Sequence, residues 1–142
     1  MTLIVDAAPL IALGARSDPD HLSVQALFET EPGPLILSPY VAAEVDYMLG
    51  RKFGWVAQEA FLRDLAGGLY ELQVPSSAEH GIMQQLMHQY RDLNPGLADL
   101  SVVVLADRNK TNRIATFDQR HFRVLRPLSG GSFTLLPVDG ER

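Results

Sequence analysis

Short apolar runs along the chain alternate with longer segments whose apolar residues recur every three or four positions. The short runs are rich in aliphatic and β-branched residues and predict strands, whereas the spaced pattern predicts amphipathic helices. The predicted strands are 3–5, 35–37, 69–74 and 113–117, with weaker candidates at 122–125 and 133–138. The predicted helices are 7–15, 19–29, 39–49, 54–65, 77–93 and 97–106.

Strands that alternate with helices imply a parallel sheet, because each parallel connection needs a crossover of about a dozen residues. We therefore expect an α/β fold in three layers, α/β/α, around a central parallel sheet of four to five strands. The 142 residues contain no visible repeat or linker, which predicts a single domain spanning residues 1–142. The last few residues are expected to fray.

The composition favours a soluble protein. Apolar residues make up 46% of the chain, and the longest stretches without a charged residue, 32–43 and 127–138, have 12 residues each. A membrane span needs about 20. The amino terminus has no basic segment and reaches Asp6 at once, which argues against a secretory signal and predicts a cytoplasmic location.

Several chemistries are excluded by what the chain lacks. It contains no cysteine, which removes disulfides, thiolate zinc sites and thiol nucleophiles, so any metal must bind oxygen or imidazole. Glycine-rich nucleotide motifs, the G-x-S-x-G elbow and the H-E-x-x-H motif are also absent. The four histidines have no helical ligand spacing and are interpreted as surface or packing residues.

Two acids directly follow predicted strands. Asp6 ends the first strand and Asp118 follows the strand at 113–117. Ligands of open α/β sheets bind beyond the carboxyl ends of the strands, so these acids are candidates for a site. The alternatives are that Asp6 caps the next helix and that Asp118 is a turn residue.

Two further acids lie on predicted helices. Asp99 begins the most apolar helix, where it could simply be a first-turn carboxylate that faces the helix dipole. Glu44 is predicted to face inward, because its helical neighbours are large and mostly apolar: Tyr40, Val41, Tyr47 and Met48.

Together these four acids predict a cluster that needs a cation. Two carboxylates about 6 Å apart repel by roughly 3 kcal/mol at an effective dielectric constant of 20. Without cysteine or convergent histidines, the matching ion is a hard one that prefers oxygen, Mg²⁺ or Mn²⁺.

Four segments that contain these acids resemble, in order and spacing, the motifs of the PIN-domain family, and specifically of VapC-type toxins. They are VDAAPL at 5–10, SPYVAAEV at 38–45, GLAD at 96–99 and IATFDQRHF at 114–122. The resemblance places the family's acids on Asp6, Glu44, Asp99 and Asp118, and a supporting hydroxyl on Thr116. One departure is Ala8, which stands where a small hydroxyl residue is common.

The resemblance implies a PIN-like fold, a homodimer and a metal-dependent endoribonuclease that is held inactive by a VapB-type antitoxin. It implies that the four acids bind Mg²⁺ or Mn²⁺ and that the substrate is tRNA or rRNA. Two alternatives remain: a DNA-directed nuclease of similar fold, and a catalytically silent module that binds RNA or protein.

The basic residues are unevenly distributed. The net charge is −5, yet half of the twelve lysines and arginines fall in the window 108–126. Such a window could bind RNA phosphates or could be a solvated face. The candidates for RNA binding are Arg108, Lys110, Arg113 and Arg120.

Overall fold

The computed structural model describes residues 2–140. Its strands are β1 (Leu3–Val5), β2 (Leu35–Leu37), β3 (Glu71–Leu72), β4 (Arg113–Ala115) and β5 (Thr134–Leu136). Its helices are α1 (Ala7–Leu13), α2 (His21–Thr30), α3 (Pro39–Phe53), α4 (Trp55–Ala66), α5 (Ser77–Gln89), α6 (Leu97–Arg108) and α7 (Gln119–Phe122). Within these residues, every helix is too short or too polar to span a lipid bilayer.

The strands form one parallel sheet in the order β3-β2-β1-β4-β5. The central strands β1, β2 and β4 are fully buried, as expected for a sheet that helices cover on both faces. The structure therefore confirms the predicted α/β/α fold. Because the strands are parallel, the segments that follow β1 and β4 leave the same edge of the sheet, side by side.

Local sequence signals determine where the main helices begin. The Ser38 hydroxyl accepts a hydrogen bond from the Tyr40 amide, and Pro39 occupies the first turn of α3. Ser76 and Glu79 form a reciprocal capping box at the start of α5. Gly54, which separates α3 from α4, has φ of 84°, a conformation that glycine adopts without strain.

Some sequence predictions of secondary structure are wrong in detail, and the helix predicted at 77–93 ends at Gln89. Residues 122–125 do not form a strand, because the Asp118 carboxylate caps the short helix α7 and the chain turns after Phe122. The strand predicted at 69–74 shrinks to two exposed residues at the edge of the sheet. Helix α2 begins at His21 rather than at Pro19, since Asp18 accepts the Asp20 amide in a turn.

The chain is ordered close to its carboxyl end. Asp139 accepts hydrogen bonds from the Leu135 amide and from both terminal nitrogens of Arg123. The expected fraying of the last residues concerns positions 141 and 142, which lie outside the described residues.

Candidate acidic metal site

Asp6 and Thr116 lie next to each other at the carboxyl edge of the sheet. Asp6 follows β1 and Thr116 follows the adjacent strand β4. The Asp6 amide donates a hydrogen bond to the Ala115 carbonyl (2.9 Å), which continues the ladder between the two strands. Both side chains are buried, with exposed fractions of 7% for Asp6 and 0% for Thr116.

The Thr116 hydroxyl orients two of the predicted acids. It donates a hydrogen bond to Asp6 Oδ2 (2.7 Å), and its oxygen accepts one from the Asp118 amide (2.9 Å). This arrangement matches the supporting position that the motif at 114–122 implied for Thr116. Asp6 is the residue before α1, but its carboxylate makes no side-chain capping bond of the kind that begins α3 and α5. Its contact with the adjacent Ala7 amide is local, so the structure does not support a capping role for Asp6.

Asp118 is held in place by His121, a residue whose spacing in the sequence had indicated only a surface or packing role. One of its oxygens, Oδ1, accepts the His121 amide (3.0 Å), and Oδ2 pairs with His121 Nδ1 (2.6 Å). Asp99, Asp118 and His121 each offer a ligand atom within 4.8 Å of the others. The interpretation of His121 as a surface or packing residue is therefore wrong. The spacing of three between Asp118 and His121 could have revealed the contact once 119–122 was predicted as helix.

Asp99 both caps the first turn of helix α6 and belongs to the acidic cluster. Its Oδ2 accepts the Gly96 amide (3.2 Å) in the first turn of α6, as the structural alternative proposed. Burial raises the pKa of Asp99. The hydrogen bond from the Gly96 amide and the charge of His121 oppose this rise, and the charge of Asp118 adds to it. The capping contact thus occupies one oxygen while the carboxylate remains part of the acidic cluster.

Glu44 reaches the cluster from the solvent side. The prediction that it faces the core is wrong, because Glu44 and Tyr47 are exposed, whereas the buried face of α3 consists of Val41, Val45 and Leu49. Partial burial raises the pKa of Glu44, and the charges of Asp99 and Asp118 add to this effect. Glu44 and Asp99 line a cleft of about 350 Å³ together with Tyr40, Ala43, Gly96, Leu97 and Ala98.

Asp6 is the most perturbed acid of the cluster. Burial raises its pKa from 3.8 to about 6, although hydrogen bonds from the Thr116 hydroxyl and the Ala7 amide favour the ionised form. The charges of Asp99 and Glu44 raise the pKa of Asp6 as well. The ion pairs of residues 2–140 leave all four acids without a lysine or arginine partner. The donor set of carboxylates with one imidazole suits a divalent cation that prefers oxygen.

Three of the four basic residues proposed to bind RNA lie away from the acidic cluster. Arg113 is buried at the beginning of β4 and forms a bidentate ion pair with Glu31 (3.0 and 2.7 Å). Arg108 pairs with Glu79 and donates to the Val74 carbonyl. It lies nine residues after Asp99 on α6, about 13 Å along the helix axis. Lys110 is exposed just beyond that end of α6. Arg120 is exposed on α7 and follows Asp118 by two residues in the chain.

Comparison with solved structures defines the class of fold. The chain resembles VapC20 of Mycobacterium tuberculosis, described as a sarcin-ricin loop cleaving toxin, with a TM-score of 0.76 and 17% identity over 82% of this chain and 89% of that chain. It also resembles VapBC2 of Rickettsia felis, solved with a DNA fragment from its promoter, with a TM-score of 0.67 and 14% identity over 95% of this chain and 97% of that chain. At these identities the likeness establishes the fold, a three-layer PIN-like domain.

Sequence similarity then establishes the family. The chain is 42% identical to Ribonuclease VapC26 of Mycobacterium tuberculosis over 135 residues, which cover 95% of this chain and all of that protein. No family model matches the chain. Identity at this level over nearly the full length shows that the chain belongs to the VapC ribonuclease family.

Proposed function

We propose that the protein is a divalent-metal-dependent endoribonuclease and the toxin of a toxin–antitoxin pair. The observation that carries the proposal is the convergence of Asp99, Asp118 and His121, beside Asp6 and Glu44, at the carboxyl edge of the sheet. Membership of the VapC ribonuclease family supports the same activity.

The acids and His121 have different roles in the proposed cation site. Asp6, Asp99, Glu44 and Asp118 are proposed to hold Mg²⁺ or Mn²⁺. Asp99 and Asp118 offer ligand atoms within 4.8 Å of each other, and Asp6 and Glu44 are close enough for their charges to interact with this pair. Among residues 2–140, no lysine or arginine forms an ion pair with any of the four. When bound, the ion would activate water for attack and stabilise charge on the phosphate that is cleaved. His121 keeps the Asp118 carboxylate in place through two hydrogen bonds.

The hydrogen bonds of Thr116 and the burial of Asp6 establish the arrangement of the site before the substrate binds. The Thr116 hydroxyl donates to the Asp6 carboxylate and accepts from the Asp118 amide, so one side chain positions both the Asp6 carboxylate and the backbone of Asp118. A raised pKa means that metal-free Asp6 is partly protonated near pH 6 and must lose this proton to act as an anionic ligand. Activity should therefore increase as the pH rises through this range.

The reaction proposed is hydrolysis of an RNA phosphodiester bond. Water is added across the bond between phosphorus and the 3′ oxygen, which leaves a 5′-phosphate on one product and a 3′-hydroxyl on the other. Ala8 offers no hydroxyl to this chemistry, and we propose that the hydroxyl of Thr116 is sufficient for ordering the acids. A structured tRNA or rRNA is the proposed substrate, and VapC20, similar in fold, is described as cleaving the sarcin-ricin loop.

The proposed partners are a VapB-type antitoxin and a second copy of the chain. The similar Rickettsia felis structure contains VapB and VapC together. A cationic side chain of the antitoxin would complement the acids, since no lysine or arginine among residues 2–140 forms an ion pair with them. Inhibition in the cytoplasm would then depend on the antitoxin remaining bound.

We propose that Arg120 contacts RNA phosphates. Lys110 and Arg108, at the far end of α6, are proposed to contact phosphates that lie farther from the acids. Arg113 is removed from the proposed set because its buried guanidinium is engaged by Glu31. If Arg120 binds a phosphate, replacement by alanine should raise KM and reduce the salt dependence of binding by about one unit of slope.

The test is a cleavage assay with defined RNA and purified protein. Wild-type protein should cut RNA with Mg²⁺ or Mn²⁺ and stop on addition of EDTA, and sequencing of the new ends should show 5′-phosphates. A matched control is Asp107→Asn, which removes an exposed acid from the other end of α6. Full cleavage in EDTA, or equal losses in Asp99→Asn and in the control, would refute the proposal.

A further inference from the structure

Tyr40 and His80 form a fixed pair at the edge of the acidic cleft. Tyr40 lines the cleft one helical turn before Glu44, and its phenol oxygen lies 2.5 Å from His80 Nε2 on α5. The other ring nitrogen, Nδ1, lies 2.8 Å from the Ser76 carbonyl. Because a carbonyl can only accept, Nδ1 donates to Ser76, and in the neutral imidazole Nε2 then accepts from the phenol. The ring of His80 is thus held from both sides.

A second, apolar pocket begins on the other side of this pair. It has a volume of about 220 Å³ and is lined by His80, Met83, Gln84, Met87, Leu97 and Leu100. Leu97 also lines the acidic cleft, so one side chain forms a wall of both cavities. Asp99 follows Leu97 by two residues in the first turn of α6, which brings the apolar pocket next to the acids.

Two apolar side chains of this pocket are exposed to water in the free protein, and this exposure is energetically unfavourable. Leu97 is 50% exposed and Met87 is 45% exposed, so a bound apolar surface would remove both from water. The only polar side chains of the lining are His80, whose ring is already engaged, and Gln84, which is exposed. The pocket therefore suits an apolar group with a polar edge.

A nucleobase is an apolar group with a polar edge. The neighbouring acidic cleft determines which nucleotide of the RNA could place its base in the pocket. A phosphodiester placed at Asp99 and Glu44 carries a base on each side through its sugars, and the two cavities meet at Leu97. Unpaired bases bind protein largely by stacking on apolar and aromatic side chains, because every base has an apolar face.

We propose that the pocket behind Leu97 binds one unpaired nucleobase of the RNA, adjacent to the bond that is cleaved. Leu97 and Met87 cover the face of the base, the His80 ring forms a wall, and the Gln84 carboxamide meets the polar edge. The inference rests on the proposed ribonuclease activity and adds to it a determinant of which bond is cut. It also predicts that cleavage requires a base that can leave its stack.

The experiment combines changes in the protein with changes in the RNA. A cleavable oligoribonucleotide is prepared with a single abasic residue at each of the three positions on either side of the scissile bond. Wild-type, Leu97→Ala and Met87→Ala proteins are compared by kcat/KM, and by binding to the same RNAs in EDTA. The control is Leu62→Ala, a 63% exposed leucine on α4 that lies outside both cavities.

The expected result is loss at one position only. There the abasic RNA should lower kcat/KM of the wild-type protein about 5- to 100-fold, mostly through KM. Leu97→Ala should lose a similar factor on intact RNA but little more on the abasic RNA, since both changes remove the same contact. Met87→Ala should show the same non-additivity more weakly, and Leu62→Ala should behave like the wild type.

Multiplicative losses at all six positions would overturn the inference while leaving the ribonuclease proposal intact. If the pocket variants cleave every RNA normally but dimerise or bind the antitoxin less tightly, the pocket is a protein interface and the inference is also wrong. If the wild-type protein cleaves no intact RNA with either metal, the proposed function fails first and the base pocket with it.

Discussion

The buried acid Asp6 should make the metal-free protein lose stability as the pH rises. Burial raises its folded-state pKa from 3.8 to about 6, so the folded protein holds this proton more tightly than the unfolded chain does. A raised acid pKa adds stability that is fully present below the unfolded value and is lost as the pH passes through the folded value. The loss should therefore fall between about pH 4 and pH 6.

The size of the effect follows from the shift. A change from 3.8 to about 6 corresponds to roughly 3 kcal/mol of unfolding free energy, since one pKa unit is about 1.4 kcal/mol. Asp6→Asn removes the ionisation but leaves an oxygen that can accept from Thr116. The stability of Asp6→Asn minus that of wild type should thus increase by about 2.5 kcal/mol from pH 4 to pH 8, because the unfolded carboxyl is already more than half ionised at pH 4. A change of this size corresponds to about 10 °C in Tm for a domain of this length.

The assay is urea unfolding of both proteins in EDTA at several pH values, with Asp107→Asn as the control. Asp107 is exposed, so its replacement should change stability by no more than about 0.5 kcal/mol at any pH. Addition of 10 mM Mg²⁺ at pH 8 should stabilise the wild type by about 1.4 kcal/mol for a Kd near 1 mM, and Asp6→Asn by much less. A stability difference between Asp6→Asn and wild type that stays constant across the pH range would refute the reasoning.

The remaining predictions concern the other acids, the threonine and the buried ion pair. Asp99→Asn should stay folded, because the amide oxygen can still accept from Gly96, but its kcat/KM should fall at least about 100-fold, and its Mg²⁺-induced Tm shift should vanish. Thr116→Ser should retain most activity, whereas Thr116→Val should lose about 10- to 100-fold in metal affinity measured by titration calorimetry. Arg113→Met should destabilise the protein by about 3 to 5 kcal/mol in urea, because Glu31 would remain buried with a charge; an intact, stable protein with only a raised KM would favour the RNA-binding interpretation instead.

The sequence alone determined the elements that depend on neighbouring residues. Short β-branched runs predicted β1, β2 and β4, and Ser38 with Pro39 predicted the start of α3, because these signals act within a few positions. The alternation of strands and helices predicted the parallel sheet, since parallel strands require such crossovers. The four acids could be named from their positions after strands and at helix starts, together with the resemblance of their motifs.

Only the tertiary structure decided which side chains meet. Arg113 was one of six basic residues in a window, and its burial depends on Glu31, which lies 82 positions away. The bond from Thr116 to Asp6 spans 110 positions, and no periodicity within a helix or strand reports such a distance. His121 entered the cluster because Asp118 caps the short helix at 119–122, which the local pattern did not predict. Local propensity is a weak determinant wherever a capping or packing contact from elsewhere in the fold is stronger.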